Sequence, residues 1–338
     1  MPSSSSANPL GLVGTRESHV PVCLRSLRVD SIADFDIYIQ LGPDEPFALY
    51  CERNLPFTDD ARQRLIDNNV EQVYISAKQQ REYGRYIENH LSEILEDDTI
   101  PVMEKSEILY TSAYAVVEDL LTTPDMEEGL QRTKEIVRHT VSSMFTNRIK
   151  LAHFLNVISF DYYIYTHSVN VTAYSVALAQ RVGYTDPASL RELANGALVH
   201  DVGKSKIDPE ILHWKGKLTQ AQWDILKQHP RYGYEMLRDT NCLGEIALDI
   251  VLHHHEKLHG GGYPDDLKGD MISPFVRMVT ISDIFDALTT ERSFQRASSS
   301  FQALNLMRVE MAADLDPRLL RAFVSMMGPL GPAAEYEK

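Results

Sequence analysis

From Ile100 to about residue 330 the apolar residues return at helical spacing, and this constrains the fold more than any other feature of the chain. A period near 3.6 lines one face of a helix, whereas a half-buried strand needs strict alternation. Residues 106–121 and 126–145 carry the helical pattern and are parted at TTPD. Within 167–181, Val169, Ala173, Val176 and Ala177 form one stripe. Within 190–200, Leu190, Leu193, Ala194, Ala197 and Leu198 form another. Thr219 and Gln222 have the spacing of a capping box, so a helix is expected to begin there. Ile246, Ala247, Ile250 and Val251 continue the series, as do Val276, Val279 and Ile284. No fixed repeat runs through it, and the expectation is an all-α domain.

The first hundred residues read differently. Residues 20–27, 35–41 and 47–53 are short runs rich in Val, Ile, Tyr and Phe, with GPDEP as a turn between the last two. Thr58 opens a helix through Asn68, residues 70–76 form another strand, and a polar helix spans 77–96. Residues 1–19, rich in Ser, Gly and Pro, are expected to be a disordered tail. The expected fold is therefore mainly α: a small N-terminal α+β domain (20–98), a helical linker (99–149) and an all-α domain (150–330). The full length of 338 residues suits two domains at roughly 150 residues each.

Charge and cysteine usage narrow the function. Thirty-three basic against 48 acidic residues leave a net charge of -15, which excludes a grip on long nucleic acid by phosphate neutralisation. Cys23, Cys51 and Cys242 are too few and too scattered for a disulfide framework or a four-cysteine zinc site, so a reducing, cytoplasmic compartment is expected. No apolar run reaches about 18 residues, so no membrane span is expected. The start, MPSSSSANPLGLVGTRES, lacks the basic opening and apolar core of a secretory signal.

The histidines are informative by placement. His200 and Asp201 end an apolar helix, with Gly203 expected to take the left-handed conformation that closes it and Lys204 following. Asp201 falls on the buried stripe, where a lone carboxylate is costly and needs a cation or donors. His254 and His255 extend the apolar stripes of Ile246–Ile250 and Ala247–Val251, whereas His253 turns away. Asp283 follows Val276 and Val279 on an apolar face, Asp286 lies three further on, and register does not choose between them. His167 lies at the start of the Val169 helix, and His229 sits where Pro230 interrupts one. Singly, each suits a helix end or a satisfied core histidine. Together, seven inward or helix-terminal N/O ligands suit a pair of divalent ions, Fe, Mn, Co, Ni or Zn. A glycine run then leads into Tyr263 and Pro264, a loop that can approach a ligand closely.

In order along the chain, THSVNV (166–171), HDVGK (200–204), KQHPRYG (227–233), HHEKLHGGGYP (254–264) and SDIFDAL (282–288) resemble the HD-GYP family, a branch of the HD-domain phosphohydrolases. The resemblance covers about residues 150–297. It implies hydrolysis of the bacterial second messenger cyclic di-GMP, or of related cyclic dinucleotides, by a water activated between two metals. It implies that His167, His200, Asp201 and Asp283 hold one ion, and that Asp201 bridges to a second held by His229, His254 and His255. Iron leads the candidate metals. Asp201 and Lys204 carry the catalytic roles. Lys204 also contacts substrate phosphate, Arg292 binds substrate, and Gly262, Tyr263 and Pro264 close one side of the site.

Three positions depart from the family pattern. Tyr163 stands where some members place a Glu for a third metal, so two ions are expected. His259-Gly260 stands where many have Asp-Gly, and Gln295, beside Arg296, replaces a basic residue after Arg292. The rival expectation is a degenerate sensor that binds cyclic di-GMP or a partner protein without turnover. A mononucleotide phosphohydrolase is a third reading, disfavoured by the GYP segment. A homodimer through 100–148 and a protein partner at the GYP loop complete the expectations.

Overall fold

The structure, a computed structural model, describes residues 18–42, 45–122, 126–146, 149, 153, 157, 164–212, 214, 216–290 and 297–327. The chain divides into two compact units, Met1–Ile100 and Pro101–Lys338.

In the first unit, β1 (His19–Cys23), β3 (Ile37–Ile39), β4 (Ala48–Cys51) and β6 (Gln72–Ser76) form an antiparallel sheet in the order β1-β6-β3-β4. The register runs from His19 opposite Ser76 to Cys23 opposite Gln72. The expected strand over 20–27 stops at Cys23 because Leu24–Ser26 is a 3-10 turn, in which the Ser26 hydroxyl donates to the Cys23 carbonyl at 2.7 Å. Such a local bond offers the backbone an alternative to the ladder. A two-residue pair, β2 (Ser31–Ile32) with β5 (Pro56–Phe57), is too short for alternation to signal. Helix α1 (Asp59–Asp67) is capped by Thr58, whose hydroxyl accepts from the Ala61 N–H. Helix α2 (Gln80–Glu96) buries Tyr86, Ile87, Leu91, Ile94 and Leu95, the stripe of an amphipathic helix. Phe35 meets Tyr83 and Tyr86 edge-on, each at 5.4 Å between centroids.

The second unit is helical among the described residues: α3 (Val102–Thr122), α4 (Met126–Phe145), α5 (Ile164–Arg181), α6 (Pro187–Val199), α7 (Pro209–Leu212), α8 (Gln220–Leu226), α9 (His229–Arg238), α10 (Glu245–His253), α11 (Pro274–Thr289), α12 (Ser300–Glu310) and α13 (Pro317–Met327). Helix α5 is the centre, packed on α3, α6, α11 and α13, while α6 also meets α4 and α10. Helices α3 and α4, read from the sequence as a linker with stripes free to pair, bury Leu109, Val116, Leu130 and Val137 inside this unit. No described helix is long and apolar enough to cross a membrane.

Two close approaches place the site. A Cβ on Gly196 would lie 2.9 Å from the Ala247 Cα, so α6 and α10 cross with backbones nearly touching, and their C-terminal ends bring His200 beside His254. Gly203 does not take a left-handed conformation; among the described glycines only Gly183, Gly260, Gly261 and Gly269 do. Its lack of a Cβ serves packing instead. It lies in the 3-10 turn Val202–Lys206, where a Cβ would collide with the His229 carbonyl at the start of α9.

Candidate metal centre

The seven ligand-type side chains come from five places in the fold: His167 from α5, His200 and Asp201 from the end of α6, His229 from the first residue of α9, His254 and His255 from the end of α10, and Asp283 from α11. They assemble into two groups, His167 with His200 and Asp283, and Asp201 with His229, His254 and His255. Asp201, 2% exposed, stands between them. Its Oδ2 faces His200 Nε2 at 3.5 Å and His167 Nε2 at 3.8 Å, and its Oδ1 faces His229 Nε2 at 3.2 Å and His254 Nε2 at 3.9 Å. His167 Nε2 lies 3.2 Å from Asp283 Oδ1.

The backbone orients the imidazoles. His200 Nδ1 lies 2.7 Å from the Ala197 carbonyl, His229 Nδ1 2.8 Å from Leu226 and His254 Nδ1 3.0 Å from Val251. A carbonyl only accepts, so each Nδ1 carries the proton and each Nε2 presents a lone pair. Two of those lone pairs, on His229 and His254, confront one another at 3.3 Å. His200 Nε2 and Asp201 Oδ1 are buried without a hydrogen-bond partner. Buried polar atoms are normally paired. Acceptors converging without donors are the setting a cation satisfies, so the residues fit divalent ions.

Protonation follows the same lines. Burial, and then the neighbouring imidazoles, hold His254 far below its usual value and His255 down at about 3, the neutral form that ligates. Burial pushes Asp201 up, but the Lys204 ammonium beside it outweighs this and holds the carboxyl well below the usual range. Burial likewise raises Asp283, and the hydrogen bond from His167 outweighs it. The Lys204 ammonium contacts Asp201 Oδ2 directly.

Sequence reading missed several supports. Asp286 Oδ2 lies 2.7 Å from His167 Nδ1, and Asp286 Oδ1 accepts from Asn170 Nδ2 at 2.8 Å, so both aspartates left open by register bracket one imidazole. Glu256, 2% exposed, accepts the N–H groups of Asp265 at 2.7 Å and Leu267 at 3.1 Å and so holds the GYP loop. Its place after the paired histidines was the signal available. A Cβ on Gly262 would lie 2.5 Å from the Glu256 Cα, which makes glycine necessary there. The loop lays the Tyr263 ring 4.7 Å from His255, with Pro264 next to it. His253 turns aside to Asp249 at 2.6 Å. His259 pairs with Asp314 at 2.7 Å, outside both metal groups. Tyr163, Arg292, Gln295 and Arg296 lie outside the described residues.

Comparison with known proteins agrees with this geometry. The family model described as HD domain matches residues 133–319. A cyclic di-GMP phosphodiesterase of Pseudomonas aeruginosa is 31% identical over 68% of this chain and 56% of its own length. The cyclic di-GMP phosphodiesterase response regulator RpfG of Xanthomonas campestris is 34% identical over 44% of this chain and 39% of its own. A 3'3'-cGAMP-specific phosphodiesterase of Vibrio cholerae is 35% identical over 46% of this chain and 34% of its own. The chain thus spans only about a third to a little over half of these relatives. An HDG"Y"P protein of Bdellovibrio bacteriovorus shares the fold, with a TM-score of 0.63 at 21% identity over 91% of this chain and 99% of that one. With the family model spanning both metal groups, the chain belongs to the HD domain family.

Proposed function

We propose that this chain is a metal-dependent phosphodiesterase that hydrolyses cyclic di-GMP at two divalent ions, iron first among the candidates. One observation carries the reading: a single buried carboxylate, Asp201, turns one oxygen to each group of histidines. One ion is held by His167, His200, Asp201 and Asp283, the other by Asp201, His229, His254 and His255. Bound there, such a pair supplies a water of lowered pKa and positive charge at the scissile phosphate.

The chain's own groups do the rest. Asp201 and Asp283 enter as carboxylates, and His200, His254 and His255, held neutral by burial, offer ring lone pairs without losing a proton first, whereas His167 must give one up. Lys204, beside Asp201, meets the non-bridging phosphate oxygens and stabilises the charge that grows on them in the transition state. Burial raises the Tyr263 hydroxyl, so it stays protonated and donates to substrate. Gly262 and Pro264 set that ring against the site, and Arg292 binds the dinucleotide. The relatives' names support the substrate class. His259, engaged with Asp314, leaves the seven-residue set intact, which removes one ground for a sensor without turnover. A cytoplasmic setting is in keeping with three cysteines that form no disulfide among the described residues.

The test compares chelated protein with protein reloaded with Fe(II) or Mn(II), on cyclic di-GMP, GMP and dGTP, by nucleotide chromatography. Turnover of cyclic di-GMP by loaded protein alone is expected. Stoichiometric binding without turnover under anaerobic Fe(II) would turn the reading to the sensor.

A further inference from the structure

Beside the metal groups lie two side chains that this chemistry leaves unused, Lys227 and Trp223. The Lys227 ammonium lies 5.7 Å from the Tyr263 ring centroid and 5.9 Å from that of Trp223. Tyr263 in turn packs on His255. A lysine and an indole therefore stand one ring beyond the second metal group. Trp223 is 41% exposed, a high value for the least water-soluble ring in the chain. It is not a loose surface aromatic. The Thr219–Gln222 capping box locks the start of α8, and the chain passes from the end of α8 to His229 within three residues. Trp223 is thus fixed relative to the ligand histidine.

Lys227 is unusual in another way. The protein carries 48 acidic residues, yet among the described residues no carboxylate pairs with this ammonium; two aromatic rings flank it instead. An uncompensated donor beside an exposed indole, at the edge of a phosphodiester site, has the chemistry of a nucleobase reader. Base–aromatic stacking is stronger than the exposed lysine–indole contact it displaces. The freed ammonium can then donate to the edge of the stacked base.

The geometry points to a base-recognition subsite in which Trp223 stacks one purine of the cyclic dinucleotide and Lys227 selects guanine. This rests on the dinucleotide reading above and goes further in assigning which base is read and by which residues. A lysine offers donors and no acceptor. Guanine presents two adjacent acceptors, O6 and N7, whereas adenine places a donor amino group beside its N7. Lys227 therefore meets two acceptors on guanine but only N7, beside a repelling amino group, on adenine.

The test uses metal-loaded full-length protein carrying Trp214→Phe. The chain has two tryptophans, and Trp214 is 48% exposed and outside both metal groups, so this change leaves Trp223 as sole reporter. GMP and AMP, which differ only in the base, are titrated against its fluorescence. GMP should quench Trp223 and bind about tenfold more tightly than AMP. Lys227→Met should abolish that difference at unchanged metal content, and Lys227→Arg, which keeps donors, should retain it. In steady state, Lys227→Met should raise the KM for cyclic di-GMP about tenfold, with kcat and the KM for cyclic di-AMP little changed. Equal binding of GMP and AMP by the unaltered lysine, or equal loss of both nucleotides in Lys227→Met, overturns the proposal. If loaded protein turns over no cyclic dinucleotide, the phosphodiesterase reading fails, and the GMP–AMP comparison still decides the subsite.

Discussion

Asp286 sits on the far side of His167 from the metal groups, and Asp283 on the near side. Register could not separate them because both face inward, three residues apart on α11, and close on opposite nitrogens of one ring. The distinction is one of roles. Asp283→Ala should lose the ion at His167, whereas Asp286→Ala should weaken it about 10–100-fold by freeing the ring to turn. Competition titration with a chelating indicator separates the two, and full affinity in Asp286→Ala would remove its positioning role. The same bracket sets a pH dependence. Burial alone would lower the His167 pKa, but the hydrogen bonds to Asp283 and Asp286 outweigh it and raise it from 6.5 to about 10. A raised value means that the charged imidazole contributes its full stability below the unfolded value and loses it as pH rises through about 10. The metal-free protein therefore carries a proton on His167 at pH 7, and an ion must displace it. Metal affinity at that group should rise with pH. Calorimetry in buffers of different ionisation enthalpy should find about one proton released per chain from this histidine at neutral pH. No release would mean that the ring is already neutral.

At the scale of the element, local signals were read well and contacts across the chain were not. The Thr219–Gln222 box is present as its spacing implied, with side chain and backbone bonded in both directions. His254 was legible because its helical stripe continues Ile250 into the core, where it is fully buried. Gly203 was misread: glycine after a helix usually closes it by a positive φ, but here the constraint is the His229 carbonyl, a contact with no trace in local sequence. That difference has a consequence. Gly203→Ala involves no forbidden backbone angle, yet it must push the 3-10 turn away from α9. It should cost about 1–3 kcal/mol by overpacking and weaken the ion held by His229. Thermal unfolding and metal content measured together check this. A variant as stable and as metal-rich as the parent would contradict the packing account.

Over the whole molecule, the two-part composition was legible from the change of period near residue 100, because strands and helices leave different repeats. The place of α3 and α4 was not. An apolar stripe says that a helix is covered, not by what, and here the cover is the rest of the helical unit. A chain beginning at Pro101 should therefore fold and keep its metals, whereas one beginning at residue 150 should aggregate, because it strips the partners of α5 and α6. Circular dichroism and size-exclusion chromatography distinguish the two, and a well-folded 150–338 chain would contradict the packing. The central claim is that seven side chains hold two ions through one shared carboxylate, and the metal-to-protein ratio tests it most directly. Elemental analysis of the full chain should give two ions per chain. Asp201→Ala, with its helical signal retained, should lose both, because each group loses an oxygen of the same residue. A ratio of one or three in the parent, or two ions retained without Asp201, would contradict it.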